Sequence, residues 1–485
     1  MGSVAKSSLV SALSGIAKRP FSAAVGPNTA DGAIVAKAGR AAARSPRLVY
    51  NQVPSPYQHR HSRTSSEPKQ SSAFSTYLGI KGVDFPSRTR IYSTSPTNMN
   101  FEKAKPPAVS GQSVSEVATP ALLIDIEVLE RNASSLKTLL SRFPAVKCRP
   151  HAKAHKCPQL AVLQLDLLGE VSSGGVCAQT VTEAESMVAG GVKDVLVSNQ
   201  VVPSDKILRL VELARAATVG VCVDSAKNVS NLSAAASAAG ITLRVLVECN
   251  VGQNRCGVDT PSEAVRLAKD IQGLPGLHFD GIQAYHGAIQ HVRHFKEREA
   301  ACAEVARCAK GFVDALAEAG ISCNTVTGGG TGTFFFEAGS GLYTEVQPGS
   351  WFLGDCDYGR NEGDAPGTAP SWEQSLTVRT TVISRNDSRR MVVCDAGTKA
   401  VSLDSGPPAV VGCDDMQYIC GGDEHGILHI PEGSADLQAL PQIDQVVTLV
   451  PGHCDPTVNL HDWFCLVRAE RIEHVWPISG RGPGC

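Results

Sequence analysis

The sequence predicts a (β/α)8 barrel of the TIM type, followed by a mainly β domain. From about Pro120 onward, short β-branched apolar runs alternate with longer amphipathic stretches, and this alternation is typical of parallel βαβ units. The runs recur mostly about 24–28 residues apart, so that eight units fill the roughly 200–250 residues of such a barrel. After Arg360 the long helical stretches end and short strand-like runs follow. This change of texture indicates a second, mainly β domain.

Each strand candidate can be placed in the sequence. A strand-like run, PALLIDIEVL at 120–129, precedes the first barrel unit and could pair with the second domain. We therefore assign residues 115–355 to the barrel, and residues 356–485, with the strand near 120–127, to the β domain. A doubly wound open sheet is the alternative that spacing alone leaves open. The eight predicted barrel strands begin near Val146, Glu170, Asp194, Thr218, Leu243, His278, Asn324 and Val346.

The N-terminal segment, residues 1–110, differs from the rest in composition. It is rich in Ser, Ala, Arg and Pro, and its first stretch, MGSVAKSSLVSALSGIAKRPF, could form a basic amphipathic helix. Up to Asn100 its acidic residues are Asp31, Glu67 and Asp84. These features predict a transit peptide for a chloroplast or a mitochondrion. The alternative is a disordered tail without a targeting role, which would leave the protein in the cytoplasm.

Charge and hydropathy exclude two classes of partner. The net charge of -2 provides no field for holding nucleic acid or an anionic membrane surface. No apolar run approaches the roughly 18–20 residues of a membrane-spanning helix. The 16 cysteines are scattered singly, which is typical of a reducing compartment. Neither nucleic acid nor a membrane is therefore an expected partner.

Residues of reactive types follow several predicted strands. The active site of a (β/α)8 barrel lies at the C-terminal ends of its strands, so these residues should meet. Strand alternation would direct Arg149, His151 and Lys153 into the barrel mouth. An inward lysine is costly unless it is neutral or covalently engaged. The other candidates at these strand ends are Arg255, Tyr285 and His291.

A glycine-rich loop and a His-Asp pair complete the candidate site. The run TGGGTGT follows the seventh strand, where such barrels hold phosphate groups, and it provides Gly328, Gly329, Gly330 and Thr331. In VPGHCDP, an extended backbone would project His453 and Asp455 to one side and Cys454 to the other. Imidazole with carboxylate suits a divalent ion such as Mn²⁺ or Mg²⁺. A surface turn without metal is the alternative.

Several motifs carry a family likeness. The segments RPHAKAHKCPQLA, VGQNRCGV, GIQAYHGAIQH, VTGGGTGTF, TEVQPGSWF and PGHCDPTVNLHD resemble the D-threonine aldolase and D-serine dehydratase group. That group belongs to the alanine-racemase-like enzymes that use pyridoxal 5'-phosphate (PLP). The likeness runs from about Thr119 to Gly482. It implies a PLP barrel with a β domain, working as a homodimer with active sites near the subunit interface.

The resemblance also implies a role for each candidate residue. Lys153 would be the Schiff-base lysine, and His291 would take the proton of the substrate β-hydroxyl. Arg255 would contact the PLP phenolate oxygen and Tyr285 would lie beside the cofactor. The loop Gly328–Thr331 would hold its phosphate.

The metal motif separates the two branches of this group. The dehydratases resemble His-x-Cys, whereas the aldolases resemble His-x-Asp, as at His453 and Asp455. We therefore expect retro-aldol cleavage of a D-3-hydroxy-amino acid, such as D-threonine to glycine and acetaldehyde. One alternative is D-serine dehydratase, which gives pyruvate. A second is a non-catalytic PLP-carrier protein, although such proteins resemble the barrel alone.

Overall fold

The computed structural model describes residues 105–364, 372–433 and 440–485. The predicted transit peptide lies outside these described residues. Within them, no helix is both long and apolar enough to cross a lipid bilayer. Residues Pro96–Cys485 form one compact unit, so the barrel and the second sheet can be described together.

Eight parallel strands form the barrel. The first elements of the chain, β1 (Ala121–Asp125) and α1 (Ile126–Leu140), precede it. The barrel strands follow in the spatial order β2-β9-β8-β7-β6-β5-β4-β3, and parallel bridges from Cys148 to Ser172 and from His151 to Cys177 join the two ends. The predicted fold class is confirmed. The strands are β2 (Lys147–Cys148), β3 (Val176–Ala178), β4 (Asp194–Gln200), β5 (Thr218–Val223), β6 (Leu243–Glu248), β7 (Leu277–Gln283), β8 (Thr325–Gly328) and β9 (Glu345–Val346).

Amphipathic helices cover the outside of the barrel. In Pro261–Gly273, the Thr260 hydroxyl caps the first turn and Glu263 returns a bond to the Thr260 backbone, which satisfies two donors that the helix end leaves free. Ala264, Leu267, Ala268 and Ile271 are buried on one face, at the spacing of a helical stripe. The barrel helices are α2 (Pro158–Leu168), α3 (Val181–Ala189), α4 (Ser204–Leu213), α5 (Ala226–Ala239), α6 (Pro261–Gly273), α7 (Phe295–Glu318) and α8 (Phe334–Gly339).

One predicted strand begins later than expected. The chain near Glu170 forms a 3-10 turn, Gly169–Val171, and β3 starts only at Val176. The intervening residues are Ser-Ser-Gly-Gly, which favour a turn. The β-branched residue that follows them, Val176, packs in the barrel core.

The second sheet is mainly antiparallel. Six of its strands close a ring in the order β10-β11-β14-β13-β12-β15. Strand β1 extends this sheet because it pairs with β10 on one side and with β16 on the other. The elements are α9 (Cys356–Gly359), β10 (Leu376–Asn386), β11 (Met391–Cys394), β12 (Ala409–Val410), β13 (Gln417–Cys420), β14 (Gly426–His429), β15 (Val446–Val450), α10 (Cys454–Val458), β16 (Trp463–Arg468) and β17 (Arg471–Pro477).

Candidate active site

A cavity of about 140 Å³, open to solvent, lies at the C-terminal ends of the barrel strands. It contains Lys153, Arg255 and Tyr285, which follow β2, β6 and β7. The structure therefore brings together candidates from three separate strands, as the barrel geometry requires. The side chains and backbone that line it belong to His151, Lys153, Gln179, Ser198, Arg255, Gln283, Tyr285, Gly330, Thr331, Gln347, Gly349, Ser350 and Tyr358.

Lys153 reaches the cavity from a 3-10 turn, Ala152–Ala154. Its Nζ forms an ion pair with Asp455 Oδ2. Burial alone would lower the pKa of Lys153, but the Asp455 carboxylate outweighs it and raises that pKa. Lys156 lies differently, because its Nζ donates to the backbone carbonyls of Lys153 at 2.6 Å and Asp455 at 2.8 Å. Of these two lysines, Lys153 alone lines the cavity.

Arg149 does not point into the barrel mouth, contrary to the strand alternation. Its guanidinium donates to Glu345 Oε2 and Asp194 Oδ1, both at 2.8 Å. These carboxylates belong to the first residues of β9 and β4, at the opposite end of the barrel from the cavity. A buried guanidinium needs such partners. In addition, the chain leaves the extended conformation before Lys153, so alternation does not relate the two side chains.

The glycine-rich loop presents two of its four candidates to the cavity. Gly330 and Thr331 line it, whereas Gly328 ends β8 and Gly329 turns the chain with φ +68°. A Cβ at Gly328 would lie 2.1 Å from the Ala284 backbone carbonyl oxygen, so glycine is needed at this close approach. Together with the cations Lys153 and Arg255, this loop fits an anionic cofactor such as PLP.

Arg255 and Tyr285 lie against each other at the edge of the cavity. The Arg255 Cζ is 5.9 Å from the centroid of the Tyr285 ring, a cation-π arrangement that holds the guanidinium in place. Burial raises the pKa of the Tyr285 phenol. The neutral ring and the cation are suited to contact the face and an anionic oxygen of an aromatic cofactor.

His291 lies in a 3-10 turn, Ala288–His291, beyond β7. Its ring centroid is 5.5 Å from that of Tyr358, which lines the cavity. Its Nδ1 is 2.5 Å from Asp357 Oδ2. Burial raises the pKa of Asp357, but the close contact with the His291 ring and the hydrogen bonds from Arg360 and Arg293 outweigh it and hold that pKa well below its ordinary value. His291 therefore lies beside the cavity, and the ionised Asp357 carboxylate contacts its ring from the other side.

His453 and Asp455 converge, although for a different reason than strand alternation. His453 is the N-cap of α10 and Asp455 lies in its first turn, and His453 Nε2 is 3.6 Å from Asp455 Oδ1. Cys454 does not point away, because its buried Sγ is 3.3 Å from Asp455 Oδ1. Burial raises the pKa of this thiol, so it is a neutral donor to the carboxylate.

This pair fits a divalent ion by its donors. Two ligands that are each about 2.1 Å from one ion lie roughly 3–4 Å apart, which matches the 3.6 Å separation of His453 Nε2 and Asp455 Oδ1. The carboxylate already contacts a cation, the Lys153 ammonium. In the described part of the chain, no three His, Cys, Asp or Glu residues form a metal-binding group. Any bound ion would therefore keep positions for water or substrate.

Comparisons with known proteins identify the family and its fold. A family model described as "Alanine racemase, N-terminal domain" matches residues 124–357, and one described as "Putative serine dehydratase domain" matches residues 375–467. A D-threonine aldolase from Arthrobacter is 44% identical to this chain, over 78% of the chain and 96% of its own length. The chain belongs to the D-threonine aldolase family. It is accordingly a lyase.

Other members of this family are similarly close. The 3-hydroxy-D-aspartate aldolase of Paracoccus denitrificans is 44% identical, over 78% of this chain and 96% of its own length. The crystal structure of D-threonine aldolase from Filomicrobium marinum is 41% identical, with a TM-score of 0.73. The match covers 78% of this chain and 99% of the Filomicrobium marinum chain. The family fold therefore extends over both the barrel and the second sheet.

Three of the site residues that the sequence did not predict lie in the run GDCDYG at 354–359. Asp355 is fully buried, accepts the Cys454 N–H at 3.0 Å, and its Oδ2 is 3.6 Å from His453 Nδ1. The separation from Nδ1 exceeds that of a hydrogen bond, so Asp355 holds the backbone next to His453 and not the imidazole itself. Asp357 and Tyr358 contact His291. The sequence feature that could have indicated these residues is the position of the run, which lies where the two predicted domains meet.

Proposed function

We propose that this protein is a PLP- and divalent-metal-dependent D-threonine aldolase. It cleaves D-threonine and other D-3-hydroxy-amino acids to glycine and an aldehyde. One observation carries the proposal: Lys153, which lines the cavity, contacts Asp455 of the candidate metal pair, and Tyr358, which also lines it, packs against the His291 ring. The residues that would attach the substrate amine, bind the metal and remove the hydroxyl proton can therefore act on one small substrate.

The barrel residues fit PLP, which when bound supplies the electron sink for Cα–Cβ cleavage. Lys153 would hold it covalently, Arg255 and Tyr285 would contact its ring, and the loop at Gly330 and Thr331 would hold its phosphate. These residues would bind the cofactor and orient it.

The remaining residues would handle the substrate hydroxyl. His291 would accept the β-hydroxyl proton on its ring nitrogen, which is general-base catalysis. His453 and Asp455 would hold Mn²⁺ or Mg²⁺. A bound metal ion lowers the pKa of a hydroxyl group that coordinates to it. Asp355 would hold the backbone beside His453 through the Cys454 N–H. His291 and the metal pair would thus act on the same oxygen.

Products and stereochemistry test this function directly. The purified protein, supplied with PLP and Mn²⁺, should convert D-threonine to glycine and acetaldehyde and leave L-threonine unchanged. Pyruvate from D-serine, without acetaldehyde from D-threonine, would instead indicate the D-serine dehydratase alternative. Tight PLP binding without turnover of either amino acid would indicate a carrier protein.

Replacement of His291 by alanine should reduce kcat by roughly 10²–10⁴-fold, the contribution of a general base. The absorbance of bound PLP and the affinity for glycine should stay unchanged, because glycine lacks the hydroxyl on which His291 acts. Steady-state kinetics with D-threonine measure the effect. A kcat near that of the wild type would remove His291 from the mechanism.

Two further properties are proposals from the sequence. The family likeness favours a homodimer, which sedimentation equilibrium of the purified protein can test. The composition of residues 1–110 favours import into an organelle. A fusion of this segment to a fluorescent protein should locate to the chloroplast or the mitochondrion, whereas a cytoplasmic signal would contradict the transit peptide.

A further inference from the structure

Asp357 is held in one position by contacts from several sides. It lies in α9, between the barrel and the second sheet, and its side chain is 4% exposed. Its Oδ1 accepts hydrogen bonds from Arg360 Nη2, at 2.7 Å, and from Arg293 Nη2. Its backbone N–H donates to the Gly452 carbonyl at 3.0 Å, next to His453. The carboxylate therefore cannot move freely.

The remaining oxygen of this carboxylate faces the proposed base. Asp357 Oδ2 is 2.5 Å from His291 Nδ1, whereas the His291 side chain is 40% exposed. A ring that exposed can rotate and exchange tautomers in water. A fixed anion at Nδ1 favours the tautomer that carries its proton there, and this leaves Nε2 as the nitrogen with a free lone pair.

We infer that Asp357 is a positioning residue for His291, which it orients so that Nε2 takes the substrate proton. This inference rests on the proposed function. In the step, the O–H bond of the β-hydroxyl breaks and an N–H bond forms at Nε2. The imidazole becomes an imidazolium whose second proton stays on Nδ1. Asp357 takes no proton, and its negative charge stabilises the imidazolium.

The two arginines explain why Asp357 serves in this way. Arg293 and Arg360 both donate to its Oδ1, and they keep the carboxylate ionised while Oδ2 faces His291. Arg293 is fixed in turn by the Asn361 side chain at 2.7 Å, and Arg360 by the Ser405 carbonyl at 2.9 Å. Both cations are engaged, so their charge acts on Asp357 rather than on the substrate.

Asp357→Asn tests the inference because it keeps the volume and removes the charge. We expect kcat for D-threonine to fall by roughly 10²-fold, within the range of general-base catalysis, with KM changed less than about threefold. The affinity for glycine and the PLP absorbance should match those of the wild type. A loss of glycine affinity equal to the loss in kcat would show that Asp357 supports the cavity as a whole, which would overturn the inference.

The chain offers a matched control. Glu362 forms a similar carboxylate-histidine contact, 2.8 Å from His294 Nδ1, between the same two segments but on the surface. Glu362→Gln should leave kcat and KM unchanged. An equal loss of kcat in this control would show that the effect belongs to the junction of the segments and not to Asp357.

The double variant separates the inference from the proposed function. If Asp357 acts through His291, His291→Ala with Asp357→Asn should be no slower than His291→Ala alone. Multiplied losses would overturn the positioning role while leaving His291 as the base. A fully active His291→Ala would instead overturn the base assignment itself. If Asp357→Asn does not fold, Asp357→Glu keeps the charge for the arginines but displaces it, and should lower kcat more than it changes KM.

Discussion

Replacement of Lys153 by alanine should abolish turnover of D-threonine, with kcat reduced by about 10⁴-fold or more. The lysine is expected to hold the cofactor covalently, and its Nζ is the lysine amine that lines the cavity in the described part of the chain. PLP could still bind through the glycine loop. It would lack the visible absorbance of its bond to a lysine, which a spectrum of the purified variant would reveal.

Peptide mapping identifies the lysine independently of activity. Borohydride reduction of the protein with bound PLP should place the pyridoxyl group on Lys153. Lys147→Ala is the control, because Lys147 begins β2 but is exposed and its Nζ contacts the Glu170 carbonyl at 2.8 Å. It should keep full activity. A label on Lys156 would contradict our assignment, since its amine is held by two carbonyls outside the cavity.

The barrel could be predicted because its periodicity is local. Asp194, Thr218 and Leu243 were expected to begin strands and do begin β4, β5 and β6. Each starts a β-branched apolar run that follows a helix and a turn, so the pattern is legible within a few residues. The predicted start of a strand near Glu170 was wrong, because two serines and two glycines precede β3 and favour a turn.

The site could be predicted by residue type but not by geometry. Lys153, Arg255 and Tyr285 follow strands, and the barrel rule alone brings them together. Asp357 could not be found in this way, because its role depends on α9 lying between the barrel and the second sheet. Such contacts link residues 64–66 positions apart in sequence, and no local pattern encodes them. The predicted orientation of Arg149 was wrong for a related reason, because its two carboxylate partners lie on strands that are distant in the sequence.

Removal of the divalent metal should abolish aldol cleavage while PLP stays bound. The candidate pair is proposed to act on the substrate hydroxyl, whereas the residues expected to hold PLP are Lys153, Arg255, Tyr285 and the glycine loop. Treatment with EDTA should reduce kcat by about 100-fold or more, the scale of lost Lewis-acid assistance. The absorbance of bound PLP should stay unchanged. Adding Mn²⁺ or Mg²⁺ should restore activity.

Asp455→Asn should reproduce the EDTA effect permanently. The carboxylate provides the charge that a hard divalent ion needs, and a lone histidine binds such ions weakly. Metal content, measured by elemental analysis after dialysis, should fall together with kcat. Asp462→Asn is the control, because Asp462 is paired with Arg481 rather than with His453, and it should retain metal and activity.

Cys454 decides which kind of metal site this is. Its buried thiol donates to the Asp455 carboxylate at 3.3 Å, and burial raises its pKa, so we expect it to stay protonated and outside the coordination shell. Cys454→Ser keeps a donor of similar size and should retain metal and most of the activity. Inactive Cys454→Ser together with tightly held Zn²⁺ in the wild type would make the thiolate a ligand and favour the dehydratase alternative. Full activity of the metal-free protein would contradict a metal role for His453 and Asp455 altogether.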